Sequence, residues 1–270
     1  MRIEANGIHE GYEEWGSGEP LVLLHAFPCN RSMWMPQISA LTQTRQIRVI
    51  TPDFRGFGES DVPEGPYLMD ALADDVAALL DTLQIETCAL GGISMGGYVA
   101  FAFYRKYGAR LRALILVDTR PQADTDAGRA AREELAQLAE RQGSRAVVER
   151  QLPRLLTPAT LQDPTGITAR LRAMMEAATP IGIAGALRGM ALRLDSTDLL
   201  PQITCPTLIL TGEEDAITPP EDAQLMAERI PNAQVFTIPR AAHLSNLEQP
   251  EAFNQRLASF LEERVLKQGG

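Results

Sequence analysis

The stretch "GGISMGGYVA", residues 91–100, decides the fold because it joins two different kinds of segment. The apolar run "TCAL" precedes it, and the mostly apolar "YVAFAFYRKY" continues from it. Gly92, Ser94 and Gly96 form the pattern G-x-S-x-G, which is typical of a sharp strand-to-helix turn that lifts a serine hydroxyl above a sheet. Ser94 is either a nucleophile on such a turn or a small residue at a junction. The strand before it and the helix after it favour the nucleophile.

The segments around this turn alternate between two patterns. The chain starts with a predicted hairpin, "RIEA" and "IHEGYEEW", joined by the turn dipeptide Asn6-Gly7. Short apolar runs without polar alternation then predict strands buried on both faces: "PLVLLHAF", "IRVITPDF", "TCALGGIS", "LRALILVD", "CPTLILTG" and "AQVFTIP". Helical stripes such as "MDALADDVAALLDTL" separate most of these runs, and "PEAFNQRLASFLEERV" closes the chain. Strand alternating with helix predicts a doubly wound α/β sheet.

The alternation of strands and helices stops between about Arg120 and Leu200. One helical pattern follows another there, as in "AGRAAREELAQLAERQ" and "ITARLRAMMEAAT". We predict that residues 121–199 form a helical insertion that caps the sheet as a lid, and that 1–120 and 200–270 form the core. The alternative is a run of surface helices with no role in binding. The lid is favoured because ligands bind at the carboxyl ends of such strands, and the insertion follows one of them.

A serine nucleophile needs a base, and the sequence contains only three histidines. His9 lies in the first hairpin, where an exposed strand residue is expected. His25 ends the run "PLVLLH", and His243 lies in "IPRAAHLSNLEQPE", after the last predicted strand. A loop at the carboxyl end of a strand is a suitable place for a base, so His243 is the leading candidate.

The base in turn needs a carboxylate that fixes its tautomer and stabilises its charged form. The loop "LILTGEEDAITPP" offers Glu213, Glu214 and Asp215 after a predicted strand. Asp118, at the end of "LILVD", is the other candidate. The chain order serine, acid, histidine fits both Asp118 and Asp215, so this pattern alone leaves the acid open.

Charge and composition exclude several classes of function. The formal net charge is −10 at pH 7, and no block of Lys and Arg gives the basic face that a nucleic-acid binder needs. No apolar run reaches transmembrane length, and "MRIEANGIHEGYEEWG" lacks the apolar region of a signal peptide. The three cysteines are far apart and lack metal-ligand spacing. We therefore expect a cytoplasmic protein that binds neither nucleic acid nor membrane and holds no metal.

Five motifs in this order resemble those of the α/β-hydrolase family over nearly the whole chain. They are the strand-end motif "LLHAFP", the loop "DFRGFGESD", the nucleophile turn "GGISMGG", the acid loop "GEEDAITP" and the histidine loop "AAHLSNLEQPEAF". Within the family the chain is most similar to small bacterial esterases, enol-lactonases, acyl-homoserine lactonases and cofactor-free haloperoxidases. The resemblance implies the α/β-hydrolase fold: a mostly parallel eight-stranded sheet flanked by helices, with an inserted helical cap.

The resemblance also implies a catalytic triad. Ser94 matches the nucleophile, His243 the general base and Asp215 its acidic partner. Asp215 fits the family pattern G-x-x-D-x-x-x-P through Gly212 and Pro219. The position that some relatives use for an alternative acid is occupied here by Asp118, which we keep as the second candidate.

An oxyanion hole is implied as well, formed by the backbone N–H groups of Phe27 and Met95. Ala26 departs from the family pattern, which has glycine after the strand-end histidine. Its Cβ would narrow the oxyanion turn if the backbone there had a positive φ. Asp53 and Arg55 match a further family motif, for which loop-anchoring hydrogen bonds are the expected role.

These residues predict a serine hydrolase that cleaves carboxylic esters or lactones through an acyl-enzyme, without a cofactor. A cofactor-free perhydrolase or haloperoxidase would use the same triad, with peroxide in place of water. A non-enzymatic small-molecule receptor on this fold is the third hypothesis, and the intact triad weighs against it. Serine at position 94 disfavours epoxide hydrolase and haloalkane dehalogenase activity, since those relatives attack with aspartate. Whether the protein forms a homo-oligomer is left open.

The substrate pocket is predicted between Ser94 and the insertion. An apolar pocket would suit small to medium acyl esters or lactones, and Arg120 is a basic candidate if the substrate is acidic. The predicted lining residues are Trp34, Met174, Met175, Leu187 and Met190.

Overall fold

The computed structural model describes residues 1–44, 46–163 and 166–267, which include a mixed sheet of eight strands. The strands are β1 (Arg2–Ala5), β2 (Ile8–Gly16), β3 (Glu19–Leu24), β4 (Ile47–Pro52), β5 (Cys88–Ile93), β6 (Leu111–Val117), β7 (Thr207–Gly212) and β8 (Ala233–Ile238). Their order across the sheet is β1-β2-β4-β3-β5-β6-β7-β8. Strands β3 to β8 run parallel, and β2 pairs antiparallel with both β1 and β4. The predicted α/β-hydrolase fold is confirmed.

The first hairpin forms where the turn dipeptide predicts it. Asn6 and Gly7 have φ angles of 47° and 75°, so both central residues of the turn are left-handed. Such a turn matches the twist of the flanking strands. It sets the register that pairs Ala5 with Ile8.

The central strands lack polar alternation because both of their faces are covered. On β3, Val22 and Leu24 join one apolar core, whereas Leu21 and Leu23 join the core on the opposite face. All four side chains are fully buried. This is the pattern expected for a parallel sheet between two layers of helices.

Helices cover both faces of the sheet. Their bounds are α1 (Met35–Leu41), α2 (Met69–Thr82), α3 (Met95–Tyr107), α4 (Asp126–Gln142), α5 (Ser144–Leu155), α6 (Pro158–Leu161), α7 (Ile167–Glu176), α8 (Pro180–Ala191), α9 (Pro220–Arg229), α10 (Ser245–Glu248) and α11 (Pro250–Leu261). Helices α2 and α3 contribute side chains to one core, and α1 and α11 to the other. Within the described part of the chain, none of these helices combines the length and apolar character needed to cross a membrane.

The stretch predicted as a helical insertion, residues 121–199, carries α4 to α8 between β6 and β7. It is attached to the core by the backbone N–H of Tyr67, which donates to the carbonyl oxygen of Gly185 in α8 at 2.9 Å. Residues 164–165 of the insertion and 268–270 of the predicted core range lie outside the described residues. That this insertion acts as a lid stays a prediction.

The topology brings the candidate site residues to one edge of the sheet. Strands β5, β6, β7 and β8 are consecutive neighbours and run in the same direction. Their carboxyl ends therefore lie side by side. Ser94 follows β5, Asp118 follows β6, and Asp215 and His243 lie in the loops after β7 and β8.

Candidate active site

Ser94 lies on a tight turn between β5 and α3. Its φ and ψ angles are 54° and −112°, a conformation that non-glycine residues rarely adopt and that the surrounding structure must hold. The Ser94 N–H donates to the carbonyl oxygen of Val117 at 2.9 Å, which ties the turn to β6. A Cβ on Gly92 would lie 2.2 Å from the carbonyl oxygen of Gly96, so the turn requires glycine at position 92. The residues of the G-x-S-x-G pattern therefore occupy the geometry that the pattern predicts.

His243 connects Ser94 to Asp215. The Ser94 Oγ lies 2.8 Å from His243 Nε2, and His243 Nδ1 lies 2.8 Å from Asp215 Oδ2. A carboxylate only accepts hydrogen bonds, so Nδ1 carries the proton of the neutral ring and Nε2 is left as an acceptor. In this arrangement the Ser94 hydroxyl donates to Nε2. The structure thus brings together the three side chains predicted as the triad.

The carboxylate of Asp215 is held by donors on both oxygens. Its Oδ1 accepts from the N–H groups of Ile217 at 2.8 Å and Thr218 at 3.0 Å. Its Oδ2 accepts from the Thr218 hydroxyl at 2.7 Å as well as from the imidazole. Burial opposes ionisation of Asp215, but the charge of His243 and these hydrogen bonds outweigh burial and lower its pKa. Asp215 is therefore ionised and oriented towards the ring.

Burial disfavours the charged form of His243, whose side chain is almost completely enclosed. The charge of Asp215 and its hydrogen bond outweigh burial, and the pKa of His243 is raised above its usual range. The site therefore favours the imidazolium that a general base becomes when it takes a proton.

Asp118 does not contact the imidazole through a hydrogen bond. Its Oδ1 accepts from the N–H of Gly212 at 2.8 Å, and its Oδ2 accepts from the N–H and hydroxyl of Ser245 at 3.1 and 2.7 Å. Asp118 is close enough to His243 for its charge to raise the pKa of the imidazole, but Asp215 is the acid bonded to the ring. Glu213 and Glu214 are exposed.

Thr218, Ser245 and Glu248 support the site and were not singled out from the sequence. Glu248 is buried, and its Oε2 accepts from the N–H of Ala242 at 2.7 Å, next to His243. Its Oε1 accepts from the N–H and hydroxyl of Thr157 in the helical insertion, both at 2.8 Å. The only sequence signal for Thr218 is its position three residues after Asp215, which suits a local side-chain-to-backbone turn.

The predicted oxyanion donors are free within the described residues. Neither the Phe27 N–H nor the Met95 N–H donates to another group there. Ala26 keeps an ordinary negative φ, since it is not among the non-glycine residues with positive φ, so its Cβ does not force the oxyanion turn open.

Buried polar groups fix the loop that carries Phe27. The Nδ1–H of His25 donates to the carbonyl oxygen of Ala26 at 2.9 Å, and its Nε2 accepts from the N–H of Phe54 at 3.0 Å. Burial lowers the pKa of His25, so its ring stays neutral and keeps both roles. Asp53 accepts from the backbone N–H groups of Arg31 and Glu59 at 2.8 and 2.9 Å. These contacts match the loop-anchoring role expected for Asp53.

The predicted pocket residues occupy two kinds of environment. Buried side chains with no more than 2% exposure are Trp34, Met175, Leu187 and Met190. Met174 instead lines both a groove of about 730 Å³ and a cavity of about 270 Å³, which Asn30 and Ser32 also line. Ser94 does not line either of them.

His9, Arg55 and Arg120, the other residues considered from the sequence, do not form hydrogen bonds with the three described side chains of the predicted triad. His9 is exposed and pairs with Asp61 at 3.2 Å, as expected for a surface residue of the hairpin. Arg55 pairs with Asp75, which anchors the loop after β4 to α2. The Nε of Arg120 is buried without a hydrogen-bond partner in the described chain. Over that same part of the chain, no group of three or more metal-ligating side chains forms a candidate metal site.

Comparisons with known proteins show which family and which solved structures this chain resembles. A family model described as the alpha/beta hydrolase fold matches residues 19–250. A thermophilic esterase from Thermogutta terrifontis has a structure that superposes with a TM-score of 0.94 at 43% identity, covering 97% of this chain and 98% of that chain. The 3-oxoadipate enol-lactonase 2 of Acinetobacter baylyi is 31% identical over 261 residues, 96% of this chain and 95% of that protein. The structure of a bromoperoxidase from Bacillus anthracis superposes with a TM-score of 0.86 at 27% identity, and the match covers 97% of this chain and 100% of that chain. The predicted resemblance to esterases, enol-lactonases and haloperoxidases is confirmed.

Proposed function

The chain belongs to the alpha/beta hydrolase fold family, and we propose from this premise that it cleaves carboxylic esters or lactones with Ser94 as nucleophile, His243 as base and Asp215 as acid. The enzyme is a hydrolase of small-molecule esters or lactones. The observation that carries the mechanism is the continuous hydrogen-bonded chain from the Ser94 hydroxyl through the imidazole to the Asp215 carboxylate. Such a chain is what an uncharged hydroxyl needs to act as a nucleophile.

The first half of the proposed reaction acylates Ser94. His243 Nε2 takes the hydroxyl proton as Ser94 Oγ forms a bond to the substrate carbonyl carbon, and the carbonyl oxygen becomes an oxyanion. His243 then gives that proton to the leaving alkoxide as the ester bond breaks. In a lactone the alcohol so released stays attached to the acyl group. Asp215 holds the ring in the required tautomer and stabilises its positive charge.

The Phe27 and Met95 N–H groups are the proposed donors to the oxyanion. Met95 is the first residue of α3, so the positive end of the helix dipole lies at the same place. Each oxyanion donor contributes about 100-fold to 1000-fold in rate in comparable hydrolases. Their lack of partners in the described residues leaves both free to donate to the developing charge.

The second half of the reaction repeats these steps with water. His243 takes a proton from a water molecule as the water oxygen attacks the acyl carbon of the acyl-enzyme. The Ser94 Oγ leaves with the proton that His243 returns, and the acid product is released. Met174 is proposed as part of the substrate path because it lines the groove and the cavity at the insertion.

A substrate panel tests the proposed function. p-Nitrophenyl esters from acetate to octanoate and aliphatic γ- and δ-lactones are given to the wild-type protein, and acid release is followed. We expect turnover of esters or lactones with saturation kinetics. Absence of turnover across both series would contradict the proposal.

A second arm of the panel addresses perhydrolysis, which the similar bromoperoxidase brings into consideration. Peroxide would attack the same acyl-enzyme in place of water. Halogenation of a dye in the presence of acetate and hydrogen peroxide, compared with ester hydrolysis at equal enzyme concentration, gives the preference. We expect hydrolysis to be the faster reaction.

The pH dependence of kcat/KM follows from the raised pKa of His243. Only the neutral ring accepts the proton of Ser94, so activity falls as pH decreases through the pKa of His243. Burial lowers that pKa, but the charge of Asp215 and its hydrogen bond outweigh burial and raise it above that of an ordinary histidine. We expect kcat/KM for an uncharged ester to lose about tenfold per pH unit below a midpoint that lies higher than the pKa of an ordinary histidine. A midpoint lower than the pKa of an ordinary histidine would show that burial dominates.

The proposal also covers the cellular compartment and the need for cofactors. We propose that the protein acts in the cytoplasm on a small molecule and needs neither a metal nor an organic cofactor. The triad and two backbone donors account for every proton and charge in the steps above.

A further inference from the structure

We propose that Asp118 is a positioning residue for His243, which aligns the histidine loop (residues 239–244) with the acid loop (213–219) and, when ionised, adds negative charge near the ring. The inference rests on the proposed function, since it concerns the base of that mechanism. Asp118 acts through His243 and does not itself touch the reacting atoms.

The hydrogen bonds of Asp118 join three segments. Asp118 is the first residue after β6, and its Oδ1 accepts from Gly212, the last residue before the acid loop. Its Oδ2 accepts twice from Ser245, the first residue after the histidine loop. One buried side chain therefore fixes the starting point of the loop that holds Asp215 and the end point of the loop that holds His243.

The backbone of Asp118 is held in place independently of these contacts. Its φ is 41°, in the left-handed region, and its N–H donates to the carbonyl oxygen of Leu210 at 2.9 Å. A non-glycine residue keeps such a conformation only where the surrounding structure determines it. The side chain is 1% exposed, so its carboxylate has a fixed position relative to the site.

The charges at this site couple Asp118 to the proposed triad. Burial and the negative charge of Asp215 raise the pKa of Asp118 to about 8, against the lowering effect of His243 and of the bonds from Ser245 and Gly212. In return, burial and Arg120 lower the pKa of His243, while the negative charges of Asp215 and Asp118 raise it. Above the pKa of Asp118, the imidazolium formed during the reaction thus has one carboxylate in contact and a second negative charge nearby.

Asp118 is not the acid of the triad. Its oxygens are bonded to Gly212 and Ser245, while His243 Nδ1 is bonded to Asp215. The contribution of Asp118 is therefore to geometry and charge, and it should be separable from the contribution of Asp215.

The test is Asp118→Asn in the full chain, with the pH profile of kcat/KM as its main readout. An asparagine has one acceptor oxygen, so it cannot serve both Gly212 and Ser245 N–H, and it carries no charge. We expect the pH profile of kcat/KM to lose the second step that ionisation of Asp118 near pH 8 gives the wild type. We expect kcat to fall about tenfold with KM little changed, because the defect lies in a positioned group and not in substrate binding.

Glu248→Gln is the matched control. Glu248 is a second buried carboxylate that holds the histidine loop, but through Ala242 on its other side. A purely structural defect in this loop should lower the melting temperature and kcat in both variants. We expect only Asp118→Asn to lose the step near pH 8. A step that persists in folded Asp118→Asn, or that is also lost in Glu248→Gln, would overturn the proposal.

A second readout does not depend on turnover. The sequence has three histidines, so NMR of histidine-labelled protein can follow His243 directly once Ser94→Ala and His25→Gln identify its signals. In the wild type, the titration of Asp118 near its pKa of about 8 should move the His243 signals in a second step. A single step would count against the proposal even if Asp118→Asn failed to fold. Failure of the proposed function would instead appear as absent ester and lactone turnover in the wild type.

Discussion

Replacement of Ser94 by alanine is expected to lower kcat at least about 10,000-fold, with little change in substrate binding. The substitution removes the atom that forms the acyl-enzyme, so no acyl intermediate is available on this path. The oxyanion donors and the substrate pocket remain, which is why a small residual rate over water is expected. The measurement is p-nitrophenol release, together with intact-protein mass after incubation with a fluorophosphonate, which should label the wild type once and the variant not at all.

Ser94 is half-buried on its turn, so the variant should still fold. Circular dichroism and the melting temperature provide the control for folding. Equal turnover by the wild type and Ser94→Ala, after removal of any contaminating esterase, would refute the assignment of Ser94. It would also refute the acyl-enzyme.

Asp215→Asn should lower kcat by about 10,000-fold, far more than Asp118→Asn. The Oδ1 of Asp215 accepts from two backbone N–H groups, so the amide oxygen of an asparagine will take that place. Its amide nitrogen then faces His243 in the place of Oδ2 and donates to Nδ1. The ring proton is forced to Nε2, and the Ser94 hydroxyl loses its acceptor.

The paired variants are measured under the same conditions as the wild type, at a pH above the acid limb. A thermal shift of similar size in both would show that the difference in rate is not a difference in folding. If Asp118→Asn were the more damaging of the two, the acid would belong to the end of β6 and the hydrogen bond to Asp215 would be incidental.

Much of the fold could be predicted because it depends on patterns within short segments. The runs that became β3 to β8 are apolar at consecutive positions since both faces of the sheet are covered, and the Asn6-Gly7 turn has only a few conformations available to it. Helix α9 was not anticipated from the sequence. The sequence does contain residues typical of the start of a helix, since Pro220 occupies the first helical position and Glu221 and Asp222 lie in the first turn.

The proximity of the candidate catalytic residues follows from topology once the strands are placed side by side. What could not be read from the sequence is which oxygen of each carboxylate meets which donor. Asp118 and Asp215 both fit the chain order of serine, acid and histidine, and only their hydrogen bonds distinguish the two acids.

The residues that line the pocket could not be predicted from the sequence for a related reason. Methionine and leucine at helical spacing pack into a core or line a cavity equally well, and the packing of neighbouring helices decides between the two.

The shared carboxylate of Glu248 has a consequence for chimeric enzymes. One of its oxygens is bonded to Thr157 of the helical insertion and the other to Ala242 beside the proposed base. An exchange of insertions between relatives that leaves out the Thr157 donors would strand a buried oxygen without a partner. Glu248 would then hold the N–H of Ala242 less firmly, and Ala242 is the residue next to His243. A graft intended to change only the choice of substrate would therefore also disturb the position of the proposed base.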